Sequence, residues 1–162
     1  MKEIYIRGKS MGVFKKEHRI SNIIKDKLKA CGGKALMPTL RGSNIAFWLS
    51  ATDMGVEIDK LPNYILEWEH FDEIIKKANA LGGKMYRGDA LAQSGGKLGE
   101  DIPYNCMEGF IASELLFTED GASITRRSTY YSGVLAWAGI ITIHRSQGKG
   151  SFITVNAKYR NM

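Results

Sequence analysis

Apolar positions recur along this chain at two spacings. Over residues 17–31, Ile20, Ile23, Ile24, Leu28 and Cys31 fall at the i, i+3, i+4 intervals that lay one apolar stripe along an α-helix. Gly32-Gly33 follows as a stop, because glycine enters the left-handed backbone that ends helices without a steric cost. The pattern returns over residues 69–81, where Phe71, Ile74, Ile75, Ala78 and Leu81 share a face and Gly82-Gly83 closes it. Each Gly-Gly pair leads to a lysine and then to an Arg-Gly step, Arg41-Gly42 and Arg87-Gly88. A diverged duplication of a helix and a strand would give this order, but the spacings differ and the shared residue types are common, so a repeat is not established. The strand-like runs are residues 3–7 with Ile4 and Ile6, residues 34–40, and residues 44–51 with Ile45, Phe47, Trp48 and Leu49. Pro38 cannot donate to a ladder and limits residues 34–40 to a sheet edge.

Six of the twenty residues from Gly82 to Asp101 are glycine, a composition that suits a boundary or a mobile loop. The expected organisation is therefore α+β: a small α+β module over residues 1–81, a Gly-rich connection over 82–103, and a separate domain over 104–162.

Within that last part, residues 106–117 read as a helix through Met107, Phe110, Ile111 and Leu115, and Thr118-Glu119-Asp120-Gly121 reads as a turn. Ser123 is an N-cap candidate for a further helical region that a break near Ser128 would divide in two. Tyr131, Val134, Leu135 and Ala138 form its buried face, and Gly139 ends it. Two β-branched runs follow, residues 140–145 and 151–155, joined by Ser146-Gln147-Gly148-Lys149-Gly150 as a hairpin. Residues 123–128, then Val134 to Ile141, then Gly148-Lys149-Gly150-Ser151-Phe152 resemble the winged helix-turn-helix superfamily, over about a third of the chain and with no single family indicated.

Charge adds weight to that resemblance. Lys and Arg number 23 against 17 Asp and Glu, for a formal charge of +6, an excess that suits polyanionic partners. From Gly121 to Met162 the chain carries Arg126, Arg127, Arg145, Lys149, Lys158 and Arg160 and no acid. The resemblance implies a recognition helix that reaches base edges and phosphates of double-stranded DNA with Arg126, Arg127, Thr129 and Tyr130. It also implies a wing that sets Arg145 and Lys149 against the backbone or minor groove. Tyr131 is assigned to the core. The expected role is DNA binding for regulation of transcription or accessory recognition.

Enzymatic chemistry has less to stand on. Asp53, Glu57, Asp59 and Lys60 could gather carboxylates and a lysine around Mg²⁺ as in a small nuclease or restriction-type enzyme. The acid-any-lysine spacing of such sites is absent, however: two residues separate Glu57 from Lys60 and none separates Asp59 from it. A salt-bridged turn before Pro62 is the plainer expectation. His18, His70 and His144 lack the mutual spacing of a metal site or a nucleophilic pair, and Cys31 and Cys106 read as reduced, buried, small hydrophobes. Gly95-Gly96-Lys97-Leu98-Gly99 lacks Walker spacing, and Lys84, Arg87 and Lys97 read as solvated loop charges, with phosphate contact as the alternative. No cofactor and no catalytic residue is expected. No apolar run reaches the ~18 residues of a membrane span, and the N-terminus has no secretory stretch, so a cytoplasmic protein without a membrane partner is expected. A phage- or plasmid-type protein-interaction module, with or without homo-oligomerisation, is the remaining alternative.

Overall fold

The computed structural model describes residues 19–145 and 150–162. The strand expected over residues 3–7, His18 and Lys149 lie outside the described residues. The fold is α+β. Helix α1 (Ile20–Ala30) precedes a four-stranded antiparallel meander, β1 (Lys34–Pro38), β2 (Asn44–Leu49), β3 (Gly55–Ile58) and β4 (Leu61–Glu67). Helix α2 (Trp68–Ala80), strand β5 (Lys84–Tyr86) and the short helix α3 (Asp89–Gln93) come next. Then follow α4 (Met107–Phe110) running on as a π-helical turn (Ile111–Leu115), α5 (Ser128–Trp137), β6 (Ile141–His144) and β7 (Phe152–Val155).

The two amphipathic helices end in the same way, for the reason the sequence suggested. Gly33 N–H donates to Leu28 O at 2.7 Å and Gly83 N–H to Ala78 O at 2.8 Å, with all four glycines at φ between 82° and 90°. The parallel extends one bond further: the Gly33 carbonyl accepts from Leu49 N of β2, and the Gly83 carbonyl accepts from Val155 N of β7. Each helix is thereby fastened to its own sheet. The α2 face of Phe71, Ile74, Ile75 and Ala78 is wholly buried, and full burial of Phe71, Ile74 and Ile75 contributes roughly 1.5–3 kcal/mol each.

Residues 82–103 do not form a loose connection. Strand β5 pairs with β7, which pairs with β6, so the second sheet has the order β5-β7-β6 and includes a strand from the supposed linker. Met85 enters the main core, which also takes in residues from Ile20 to Val155. The glycine-rich excursion beyond it folds over a small core of its own, made by Ala92, Leu98, Ile102, Cys106, Ala112 and Ile124. Glycine serves geometry here: a Cβ at Gly96 would stand 2.7 Å from the Leu91 carbonyl oxygen and one at Gly109 1.9 Å from that of Pro103. The packing therefore runs across the boundary placed between residues 81 and 104.

The helical region expected from Ser123 is also different. Residues 123–127 are not helical, and α5 starts at Ser128. Ser123 bridges to Lys97, Ile124 N–H donates to Gly96 O, and the Ile124 side chain fills the small core, so this stretch follows the excursion instead of coiling. The twelve residues between the π turn and α5 are longer than the tight link of a helix-turn-helix.

Candidate functional site: a basic cleft beside a buried helix

Helix α5 has almost no exposed face. Ser128, Tyr130, Tyr131, Ser132, Gly133, Val134 and Leu135 are all buried. A Cβ on Gly133 would come 2.1 Å from Met37 Sδ, which measures how closely the helix lies on β1. Tyr131 is fully buried, edge-on to Phe71 at 5.3 Å, with its hydroxyl 2.9 Å from Tyr64 Oη and 2.8 Å from His70 Nδ1. Burial raises the Tyr131 hydroxyl pKa well above 10.0 and lowers that of His70 below 6.5, so both stay neutral near pH 7. The core assignment of Tyr131 is met, and its partners make His70 a structural histidine.

The start of α5 is held by a residue from another helix. Glu108, with no exposed surface, accepts from Arg127 N at 3.0 and 3.1 Å, from Ser128 N at 3.0 Å and from Ser128 Oγ at 2.7 Å. It serves as an N-cap for two orphan amides. Burial pushes its carboxyl pKa up, against the pull of those bonds. Its own amide is bonded to Arg87 O at 2.9 Å. Arg87 is only 4% exposed, so it is not a solvated loop charge: Nε donates to Ser151 Oγ at 2.7 Å, Nη1 to Ser132 Oγ at 3.0 Å and Nη2 to Asp89 Oδ2 at 3.2 Å. Burial lowers its pKa, while Asp89 and Glu108 counter that effect and guanidinium remains the charged form. Arg87 thus ties α5, α3 and the start of β7 together.

These elements wall a cleft of about 560 Å³ that lies between the β1–β2 turn, α3, the first half of α5 and the end of β6. Its charged lining residues are Arg41, Lys60, Arg87, Asp89, Arg126 and Arg145, five cations against one carboxylate. Arg87, Tyr130 and Ser151 are buried and form its floor, whereas Arg41, Lys60 and Arg145 are exposed and form its rim. Arg145 donates across one end to the Leu40 carbonyl, and Arg126 Nη1 donates to Gln93 Oε1 at 2.9 Å.

Of the residues assigned to DNA from the sequence, Arg126, Thr129, Tyr130 and Arg145 line this one cleft. Arg127 does not. Its guanidinium lies 5.0 Å over the Tyr64 ring, its Nη1 bonds to Thr125 O, and its Nε is buried without a hydrogen-bond partner among the described residues. Arg41, Lys60 and Asp89 carry no such assignment from the sequence. They lie 37 to 104 positions from Arg126 or Arg145, and only the fold brings them together. One signal was present: both arginines of the repeated Arg-Gly step, Arg41 and Arg87, are cleft residues.

The acidic cluster considered for a nuclease does not gather. Asp53 precedes β3 and pairs with Lys25 at 3.7 Å, Asp59 follows β3, and the four-residue strand holds them apart. Among the described residues no three His, Cys, Asp or Glu side chains converge as a metal ligand set would. Cys106 is buried, but Cys31 is exposed, because it lies past the last buried turn of α1 with its Sγ bonded to Lys27 O. Among the described residues no helix is long and apolar enough to cross a membrane. Neither a protein-family model nor a curated protein nor a solved structure matches the chain.

Proposed function

We propose that this chain binds DNA, with the basic cleft as the contact surface and the sugar-phosphate backbone as what it grips. The observation that carries this reading is the five-to-one excess of cations around the cleft. Phosphate contacts supply most of the affinity of a nucleic-acid-binding protein and need convergent Lys and Arg side chains on one surface. The order from α5 through Gly139 into the β6–β7 hairpin supports the winged-helix likeness. The mode of contact departs from that likeness. A helix buried on nearly every side cannot lie in a major groove, so the cations at its margin, Arg126 beside α5 and Arg145 at the end of β6, act on the backbone together with Arg41 and Lys60. Such contacts position a duplex and carry little sequence information, which fits an accessory or regulatory role that depends on a second specificity element.

Salt-titrated binding to a fluorescent duplex tests the reading. With Arg41, Lys60, Arg126 and Arg145 each displacing about one counterion, log K should fall linearly with log salt with a slope of roughly −3 to −4. No measurable binding at low salt, or binding indifferent to salt, would sink it.

A further inference from the structure

The floor of the cleft has a chemistry that backbone contacts do not use. Tyr130 is only 8% exposed, yet it lines the cleft and its hydroxyl meets no hydrogen-bond partner among the described residues. The hydroxyl oxygen is not among the buried atoms left without a partner, so it is reached from the cleft and is free to meet a ligand. Its neighbour Thr129 also lines the cleft with its hydroxyl unbonded to the described residues, and so does Asn44 with its amide. Ile45, Ile143 and Pro38 add apolar wall to a lining that is otherwise largely polar. Asp89 is the one carboxylate; it is fixed by Arg87 and by Ser151 Oγ at 3.1 Å, and it keeps lone pairs for a further donor. The volume of about 560 Å³ falls within the ~300–1,000 Å³ of small-molecule sites and is too small for a duplex.

We infer that the cleft floor holds a single nucleoside phosphate unit, either free or as an unpaired nucleotide of a DNA strand. The match is one of parts. A base is a flat body for the apolar walls, its amino or ring N–H groups need an acceptor such as Asp89, and its carbonyl and ring-nitrogen acceptors need donors such as Tyr130 Oη and Thr129 Oγ1. The phosphate then falls to the cations of the rim. For those rim cations the inference rests on the DNA reading, but it makes a demand that duplex binding does not: an unpaired nucleotide must bind by itself.

The test is calorimetric titration of the full chain with each of the four deoxynucleoside monophosphates, the matching nucleosides, inorganic phosphate and a five-nucleotide single strand, alongside the duplex. At least one monophosphate should bind saturably and at least tenfold tighter than both its nucleoside and inorganic phosphate. A single strand that binds tighter still, per site, assigns the unit to a strand; a strand no better than the monophosphate assigns it to a free nucleotide. Tyr130→Phe keeps the ring and its packing and removes only the hydroxyl. It should weaken the nucleotide about tenfold, with an unchanged melting curve as the folding control. The inference is overturned if no monophosphate or strand binds at millimolar concentration, or if Tyr130→Phe binds nucleotide as the wild type does. If that happens while salt-dependent duplex binding persists, the DNA reading stands without it; saturable nucleotide binding with no duplex binding would instead uphold the nucleotide site and remove the DNA reading.

Discussion

Helices α2 and α5 are close in length and meet through the Phe71–Tyr131 contact, yet they are built on opposite plans. Along α2, one face is fully buried and the other carries exposed charges such as Glu73 and Lys76. Along α5 there is no charged residue at all between Ser128 and Trp137, and burial runs nearly all round. Arg126 and Arg127, which by sequence would equip it as a recognition helix, stand before its first turn. Basic residues next to a helix in sequence therefore need not lie on a face of it. Here they diverge, one into the cleft and one onto Tyr64, because Glu108 fixes the backbone where the helix begins.

The largest consequence of this contrast is in stability. Removing the Tyr131 side chain opens a cavity at the centre of the core and strands the hydroxyl partners Tyr64 and His70. Tyr131→Ala should cost about 3–5 kcal/mol in urea denaturation, whereas a change on the outer face of α2, Lys76→Ala, should stay within about 0.5 kcal/mol. Equal, small effects would mean that α5 is not buried as described.

A smaller loss is expected from the residue that starts α5. Glu108→Ala leaves two amides and the Ser128 hydroxyl without their acceptor, which should cost about 2–3 kcal/mol in the same measurement. Glu108→Gln retains an acceptor oxygen and should recover part of that. If alanine is no worse than glutamine, the carboxylate is not capping the helix.

The smallest effect is a pH dependence. His70 has a folded pKa below 6.5 because it is buried, with Glu67 and Glu69 only partly opposing this. Between the folded value and 6.5 the unfolded chain binds more protons, so stability falls as pH drops below about 6.5. Glu108 works in the other direction, since its folded pKa is raised from 4.5 and it favours the folded state as pH falls. The difference between wild type and His70→Gln isolates the histidine. The wild type should lose stability relative to the variant on going from pH 7 to pH 5, and parallel pH curves would mean that burial does not depress the His70 pKa.

What the sequence made legible follows the same division. Helices with one apolar stripe, α1 and α2, and their Gly-Gly ends are readable because burial on one side leaves a period. So are β2 and the β6–β7 hairpin, whose β-branched or aromatic runs are long enough to stand out. Strand β3 has four residues and one of them is Glu57; β4 carries Pro62 and Asn63, the latter at φ 66°; β5 has three residues between glycines. None leaves a pattern, and each is held by its neighbour in the sheet. The cleft is half legible. Local charge and the winged-helix likeness point to Arg126, Thr129, Tyr130 and Arg145, whereas Arg41, Lys60 and Asp89 are joined to them only through tertiary packing. Arg127 stands outside the cleft because its orientation depends on Glu108 and Tyr64, which are distant in sequence.

The neighbours Arg126 and Arg127 offer the most direct test of whether DNA is held by the cleft. Salt-titrated duplex binding of Arg126→Ala and Arg127→Ala compares two variants of identical net charge, one altered inside the cleft and one outside it, with folding checked by melting curves. Arg126→Ala is expected to reduce the magnitude of the salt slope by about one and to weaken binding to all sequences alike, while Arg127→Ala keeps the wild-type slope. An equal reduction in both, or a larger one in Arg127→Ala, would contradict the cleft as the DNA-binding surface.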